Sequence, residues 1–184
     1  MSEAVSALKG ESHVGFATVT EAGVTGMITL RADLAATATR IALAGQGLKL
    51  PGAREIVAGD KGRFTGWMSP DELLVICAYE DAPAVAAGLA KSLHLEHALV
   101  TNVSDARARF TISGAKADQV LTKLCPVDFA TLKAGEMRRT RAAQVAAAIW
   151  RSGPEELSLV CFRSVAGYVM GILEVSSRQG GELF

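Results

Sequence analysis

His94 and His97 stand three residues apart with Glu96 between them, a spacing that could sketch a metal site. They fall at an expected helix-to-strand junction with no cysteine or further histidine close by, so they read as exposed or helix-capping side chains. His13 lies in an N-terminal stretch without periodicity, a poor place for a ligand. The adjacent carboxylates Asp71 with Glu72, and Glu155 with Glu156, sit in expected turns. An acid–base pair needs burial to drive its two pKa values apart, and a turn argues for solvated charges. Cys77, Cys125 and Cys161 are odd in number, form no CxxC pair and lie in apolar contexts. They read as small core residues of a protein in the reducing cytoplasm. Neither GxSxG nor a Ser/His/Asp ordering is present, and no phosphate-cradling GxGxxG or GxxxxGK[ST]. Gly45-Gln46-Gly47 follows a helix and reads as its stop. The cluster MRRTR (137–141) holds three arginines with Lys133 nearby. It could grip an anion or an acidic partner surface, or be a solvated loop entering a strand.

The elements that carry these residues are punctuated clearly. Residues 67–77 read WMSPDELLVIC and residues 150–161 read WRSGPEELSLVC. In each, a strand ends near the tryptophan, a proline-acid-acid turn follows, and an apolar strand leads away. Proline cannot donate to a sheet ladder, which confines it to the turn. A helix follows each hairpin. Asp81 and Pro83 suit the start of the first, with Val85, Leu89 and Leu93 at helical spacing; Ser164 suits the start of the second, with Val165, Tyr168, Val169, Ile172 and Leu173. A strand and a helix precede each hairpin: MITLR (27–31) with Leu34, Ala38 and Ile41, and RFTIS (109–113) with Ala117, Val120, Leu121 and Leu124.

The expected fold is therefore α+β, two tandem and structurally similar strand-helix-hairpin-helix modules at residues 23–97 and 98–184, after a mobile arm at 1–22. Residues 142–150, AAQVAAAIW, have the propensity of a helix but the repeat position of a strand, and strand is the expectation. Residues 48–62 read as an irregular connection with one short strand, and the tail SSRQGGELF as frayed.

Composition excludes several classes. Of 184 residues 49% are hydrophobic and 21% charged, and 19 basic residues balance 19 acidic ones. That is a globular composition without the electrostatic footprint of a nucleic-acid or anionic-membrane binder. The N-terminal stretch carries Glu3 and Glu11 and does not read as a signal peptide, and the apolar run 165–173 is far short of a membrane span. The last helix is apolar beyond a single stripe, which suggests cover from its own fold or from another chain.

Four phrases carry a family resemblance: SPDELLV (69–75), NVSDARARFTISG (102–114), CPVDF (125–129) and CFRSVAGYV (161–169). In their order and spacing the chain, from about residue 24 to 178, resembles the gamma subunit of heterotetrameric sarcosine oxidase, with Leu73 where an aromatic is common. It is also similar to the wider folate-binding fold of the glycine-cleavage T-protein. The catalytic Asp of the T-protein hairpin has no counterpart in residues 140–157, which contain no Asp. The resemblance implies a T-protein-like fold without its chemistry. It implies a mainly structural subunit of a complex that oxidatively demethylates sarcosine to glycine, with hydrogen peroxide and a one-carbon unit for tetrahydrofolate. FAD, FMN, NAD and tetrahydrofolate would sit on other subunits, with no cofactor, metal or catalytic residue on this chain. The implied partners are the alpha (large) and other subunits, with no nucleic acid and no membrane. Candidate partner contacts are Arg107 and Arg109, which alternate on one strand face, Arg163 beside the last helix, and Arg138 and Arg139 of the basic cluster. A stand-alone folate-dependent one-carbon transferase and a small-molecule-binding module remain as alternatives.

Overall fold

The computed structural model describes residues 3–184. In chain order the elements are β1 (Ser12–Val14), β2 (Thr18–Glu21), β3 (Gly26–Arg31), α1 (Thr37–Gly45), β4 (Ile56–Ala58), β5 (Phe64–Ser69), β6 (Glu72–Cys77), α2 (Ala82–Ser92), β7 (Leu99–Asn102), β8 (Arg107–Ser113), α3 (Ala117–Thr122), β9 (Met137–Ala142), β10 (Val145–Gly153), β11 (Glu156–Phe162) and α4 (Ala166–Ser177). The chain divides into two α+β units, one of residues 25–104 and one of residues 3–24 with 105–184.

The contiguous unit is built on a five-stranded antiparallel sheet of order β4-β5-β6-β3-β7. Alternation along β3 and β6 sends Ile28, Leu30, Leu73, Val75 and Cys77 into one core with Ala42 and Leu43 of α1 and Val85 and Leu89 of α2. Each fully buried Leu or Ile contributes about 1.5–3 kcal/mol of transfer free energy. The expected hairpin is β5–β6, whose register shifts between Trp67 and Ser69. The short strand expected within residues 48–62 is β4. The first helix departs from expectation. It begins at Thr37, so Leu34 precedes it, and it buries Thr39, Ala42 and Leu43 while Ile41 is 65% exposed. Leu34 and Ala38 still pack, partly buried, against the same core, so of the expected positions only Ile41 turns outward, and the buried Thr39 hydroxyl donates to Asp33 O at 2.7 Å. The ends of the unit are pinned together. Met27 N donates to Ser104 Oγ at 2.9 Å, Val103 N to Met27 O at 2.8 Å, and Ser104 Oγ reaches Asn102 Oδ1 at 2.6 Å.

The second unit has a six-stranded sheet of order β1-β2-β8-β11-β10-β9. Ala108, Phe110 and Ile112 of β8, with Leu157, Leu159 and Cys161 of β11, form a core with Val120 and Leu121 of α3 and Val169, Met170 and Leu173 of α4. The alanine-rich segment is strand, as its repeat position required. A turn at Ala143, with φ of 50°, separates β9 from β10, and Ala147 and Ile149 enter the core. The β10–β11 hairpin shifts register between Arg151 and Gly153.

Four further expectations are corrected. The arm placed at residues 1–22 supplies β1 and β2, and β2 pairs with β8 over Thr18↔Ser113 to Glu21↔Phe110; Met1 and Ser2 lie outside the described residues. Glu21, buried, ties this segment down by accepting from Ser6 Oγ and Gly10 N, each at 2.8 Å. Unit boundaries accordingly fall near residues 24 and 104 rather than 22 and 97. The tail is held. Gln119 Nε2 donates to the Phe184 main-chain oxygen at 3.0 Å and Leu183 N donates to Gln119 Oε1 at 2.7 Å, while Lys123 Nζ donates to Ser176 O and Gly181 O. Asp81 and Ser164 make no side-chain helix cap. Each helix is entered through a short 3-10 turn, Tyr79–Asp81 or Arg163–Val165, and Asp81 pairs with Arg63 at 3.0 Å.

Candidate partner-contact site

The five candidate arginines occupy three places. Arg107 and Arg109 stand on the face of β8 opposite the helical core. The Arg107 guanidinium lies 4.1 Å from the ring centroid of Phe162, its cross-strand partner on β11. Arg109 lies 5.6 Å from the Trp150 ring and donates to Ser158 Oγ at 3.3 Å. Burial holds the Arg109 guanidinium below its ordinary value, with the Glu156 carboxylate pulling the other way. Arg163 reaches back to the N-terminal segment and donates to Val5 O at 2.7 Å and Ser6 O at 3.2 Å. Arg138 forms an ion pair with Glu136 at 2.8 Å. The Lys133 amide first, then the Arg138 guanidinium, hold the Glu136 carboxyl below the usual range. Arg139 and Arg141 lie exposed along β9, at the end of the sheet. The structure does not bring the five together.

The other residue types with chemical potential resolve individually. His94 Nδ1 lies 2.9 Å from Lys91 O in the last turn of α2, His97 lines a cleft, and His13 is on β1. Among the described residues no three His, Cys, Asp or Glu side chains gather as metal ligands. Burial pushes the Cys125 and Cys161 thiols up to about 12 and raises Cys77 as well, so all three are protonated at neutral pH. Both carboxylates of the first turn pair with Arg31, Asp71 at 3.2 Å and largely exposed, Glu72 at 2.8 Å and buried, which corrects the expectation that both are simply solvated. That partner lies across β3, too far in sequence for local spacing to show.

Arg31 and its setting were not singled out by the sequence. A cleft of about 730 Å³ in the contiguous unit is lined by Arg31, Asp33, Pro70, Asp71, His97 and Leu99. A second, of about 420 Å³ in the other unit, lies between α3 and the loop around Phe129, beside Phe184. No sequence pattern announces either. Among the described residues no helix is long and apolar enough to cross a membrane.

The four recurring phrases now have physical roles. In the first, Glu72 anchors Arg31. In the second, Ser104 pins Met27, and in the third, Phe129 enters the core while Asp128 Oδ1 accepts from Ala130 N at 3.0 Å. In the fourth, Arg163 ties down residues 5 and 6. These roles organise the fold.

Comparison with known proteins gives the same direction. The curated sarcosine oxidase subunit gamma of Arthrobacter sp is 30% identical over 103 residues, covering 55% of this chain and 50% of that protein. The subunit gamma of Corynebacterium sp. (strain P-1) is 32% identical over 112 residues, covering 59% and 54%. The chain thus spans about half the length of the curated relatives it matches. Among solved structures, heterotetrameric sarcosine oxidase from Corynebacterium sp. U-96 in complex with pyrrole 2-carboxylate superposes with a TM-score of 0.82 at 24% identity, covering 90% of this chain and 87% of that one. Glycine cleavage system aminomethyltransferase T from Bartonella henselae gives 0.65 at 16% identity, covering 84% of this chain and 44% of that one. Both likenesses establish the fold alone. The family model described as "Sarcosine oxidase, gamma subunit family" matches residues 31–179. A match over that span of 184 residues shows that the chain belongs to the sarcosine oxidase gamma subunit family.

Proposed function

We propose that this chain is a structural subunit of a heterotetrameric sarcosine oxidase, seated against the large subunit and without a reactive centre of its own. The complex oxidatively demethylates sarcosine to glycine, releasing hydrogen peroxide and passing a one-carbon unit to tetrahydrofolate. FAD, FMN, NAD and tetrahydrofolate are held by the other subunits, in the cytoplasm. One observation carries this reading: the family match runs through residues 31–179, while the phrases within it anchor strands, turns and the N-terminal segment.

The two units are, in this reading, copies of one fold. The strand order β4-β5-β6-β3-β7 parallels β9-β10-β11-β8-β2, and each hairpin shifts register at the same place, two residues before its turn. The leading strands are exchanged between copies: β2 precedes β3 in the chain but pairs with β8, and β7 precedes β8 but pairs with β3. Burial of Arg107 and Arg109 against aromatic rings supports a role for them inside their unit. Arg138 and Arg139, on the sheet edge, are the partner contacts.

Co-expression with the large subunit tests the reading. The expected result is stable co-elution on size exclusion, with sarcosine-dependent peroxide formation by the assembled complex and none by the isolated chain. Turnover of sarcosine by the isolated chain, or failure to co-elute, overturns it.

A further inference from the structure

Arg109 is a withdrawn cation without a counter-ion. Alternation along β8 puts Arg107 and Arg109 on the sheet face away from the helices, and strand register adds Phe162, Ser158 and Glu156 of β11 and Trp150 of β10 to the same face. Ser158 is 0% and Trp150 5% exposed, so water is excluded around them. Arg107 is engaged with the Phe162 ring. Arg109 makes one hydrogen bond, from Nη2 to Ser158 Oγ at 3.3 Å, and lies 5.6 Å from the Trp150 ring. Its Nε is buried without an acceptor, and among the described residues no carboxylate forms an ion pair with it.

The chain's own acid is held at a distance. Ser158 Oγ donates to Ser152 Oγ at 3.2 Å, and Ser152 Oγ donates to Glu156 Oε1 at 2.7 Å. Two hydroxyls therefore stand between the guanidinium and the carboxylate that pulls on it. Burial holds the guanidinium below its ordinary value, and the indirect pull of Glu156 does not offset this. A withdrawn charge is costly until an anion completes it. The edge of a guanidinium that carries Nε presents parallel N–H groups, spaced to meet both oxygens of a carboxylate. One unpaired guanidinium matches one negative charge, and Glu156 on the same face repels a second, so a monocarboxylate fits better than a dianionic phosphate.

We infer that Arg109 anchors a binding site for a small monocarboxylate, held across the Nε edge of the guanidinium beside Trp150. The site is built from side chains of this unit alone and does not depend on the subunit reading.

The test uses the full chain carrying Trp67→Phe, which leaves Trp150 as the fluorescent reporter. It is titrated with sodium acetate, sodium chloride and sodium phosphate at matched ionic strength. Acetate is expected to change Trp150 fluorescence saturably and to raise the melting temperature, chloride to do neither, and phosphate to act at least tenfold more weakly than acetate. Arg109→Lys keeps the charge but loses the fork, and should weaken acetate binding at least tenfold. Glu156→Gln removes the repelling charge and should tighten acetate binding several-fold; it leaves Arg109 in place and so decides the question if Arg109→Lys fails to fold. A parent chain that responds alike to acetate and chloride overturns the site, as does undiminished acetate binding by Arg109→Lys or unchanged affinity in Glu156→Gln. Tighter binding of phosphate than of acetate overturns the assignment to a monocarboxylate.

Discussion

Replacing Ser104 by alanine removes one hydroxyl and should cost the contiguous unit a large part of its stability. The residue is 7% exposed and Met27 is 1% exposed. Ser104 Oγ is the acceptor for Met27 N at 2.9 Å, so Ser104→Ala leaves that amide buried without an acceptor. An orphaned buried donor costs about 1–3 kcal/mol, beyond the smaller net value of an intact hydrogen bond. The Ser104 Oγ bond to Asn102 Oδ1 is lost too, but that acceptor keeps the Ser104 amide at 3.1 Å. About 2 kcal/mol is therefore expected, equivalent to a fall of about 1 M in the urea midpoint if the slope is about 2 kcal/mol/M. The chain has two tryptophans, Trp67 in the contiguous unit and Trp150 in the other. A Trp150→Phe background leaves Trp67 fluorescence as the reporter of the affected unit. Ser164→Ala is the matched control, since that hydroxyl caps no helix, and its midpoint should be unchanged. A loss of less than about 0.5 kcal/mol for Ser104→Ala would refute the argument that this hydroxyl pins the ends of the unit.

Three further outcomes follow from the geometry. Gly15→Ala places a Cβ 1.8 Å from Ser177 O, a main-chain atom that cannot swing aside, and a destabilisation of about 1–3 kcal/mol by thermal melting is expected. Arg163→Ala frees the carbonyl oxygens of Val5 and Ser6, so amide exchange and limited proteolysis should rise in residues 3–11 while residues 25–104 keep their protection. Cys125 and Cys161 have folded pKa values raised from 9.0 to about 12, so the folded state holds these protons more tightly than the unfolded one. Their contribution is fully present below pH 9 and is lost as pH rises toward 12; Cys125→Ala should flatten the fall in melting temperature across that window, and Ellman's reagent should react with none of the three thiols until urea is added.

Local signals made much of the fold legible. The proline-acid-acid turns located both hairpins, and the repeat outweighed the alanine propensity of residues 142–150, because a sheet position between β9 and β11 overrides a preference worth a few tenths of a kcal/mol per residue. What stayed hidden was non-local. Strands β1 and β2 are three and four residues long, too short to show a period, and β2 finds its partner on β8 some ninety positions later. Glu72 read as a turn charge because Arg31 lies 41 residues away, and Arg163 read as a helix flank because its acceptors lie 157 and 158 residues away. The candidate arginines were visible as charge. Their separation into ring-stacked, tethering and edge-exposed groups depends on strand register, which residue type does not encode.

The insertion of residues 25–104 between β2 and β8 sets an order of assembly during synthesis. Strand β2 is synthesised well before its partner β8 and waits for residues 107–113 to emerge, while the contiguous unit can close on itself in the interval. A change within residues 18–21 therefore acts on a half of the fold that is made much later.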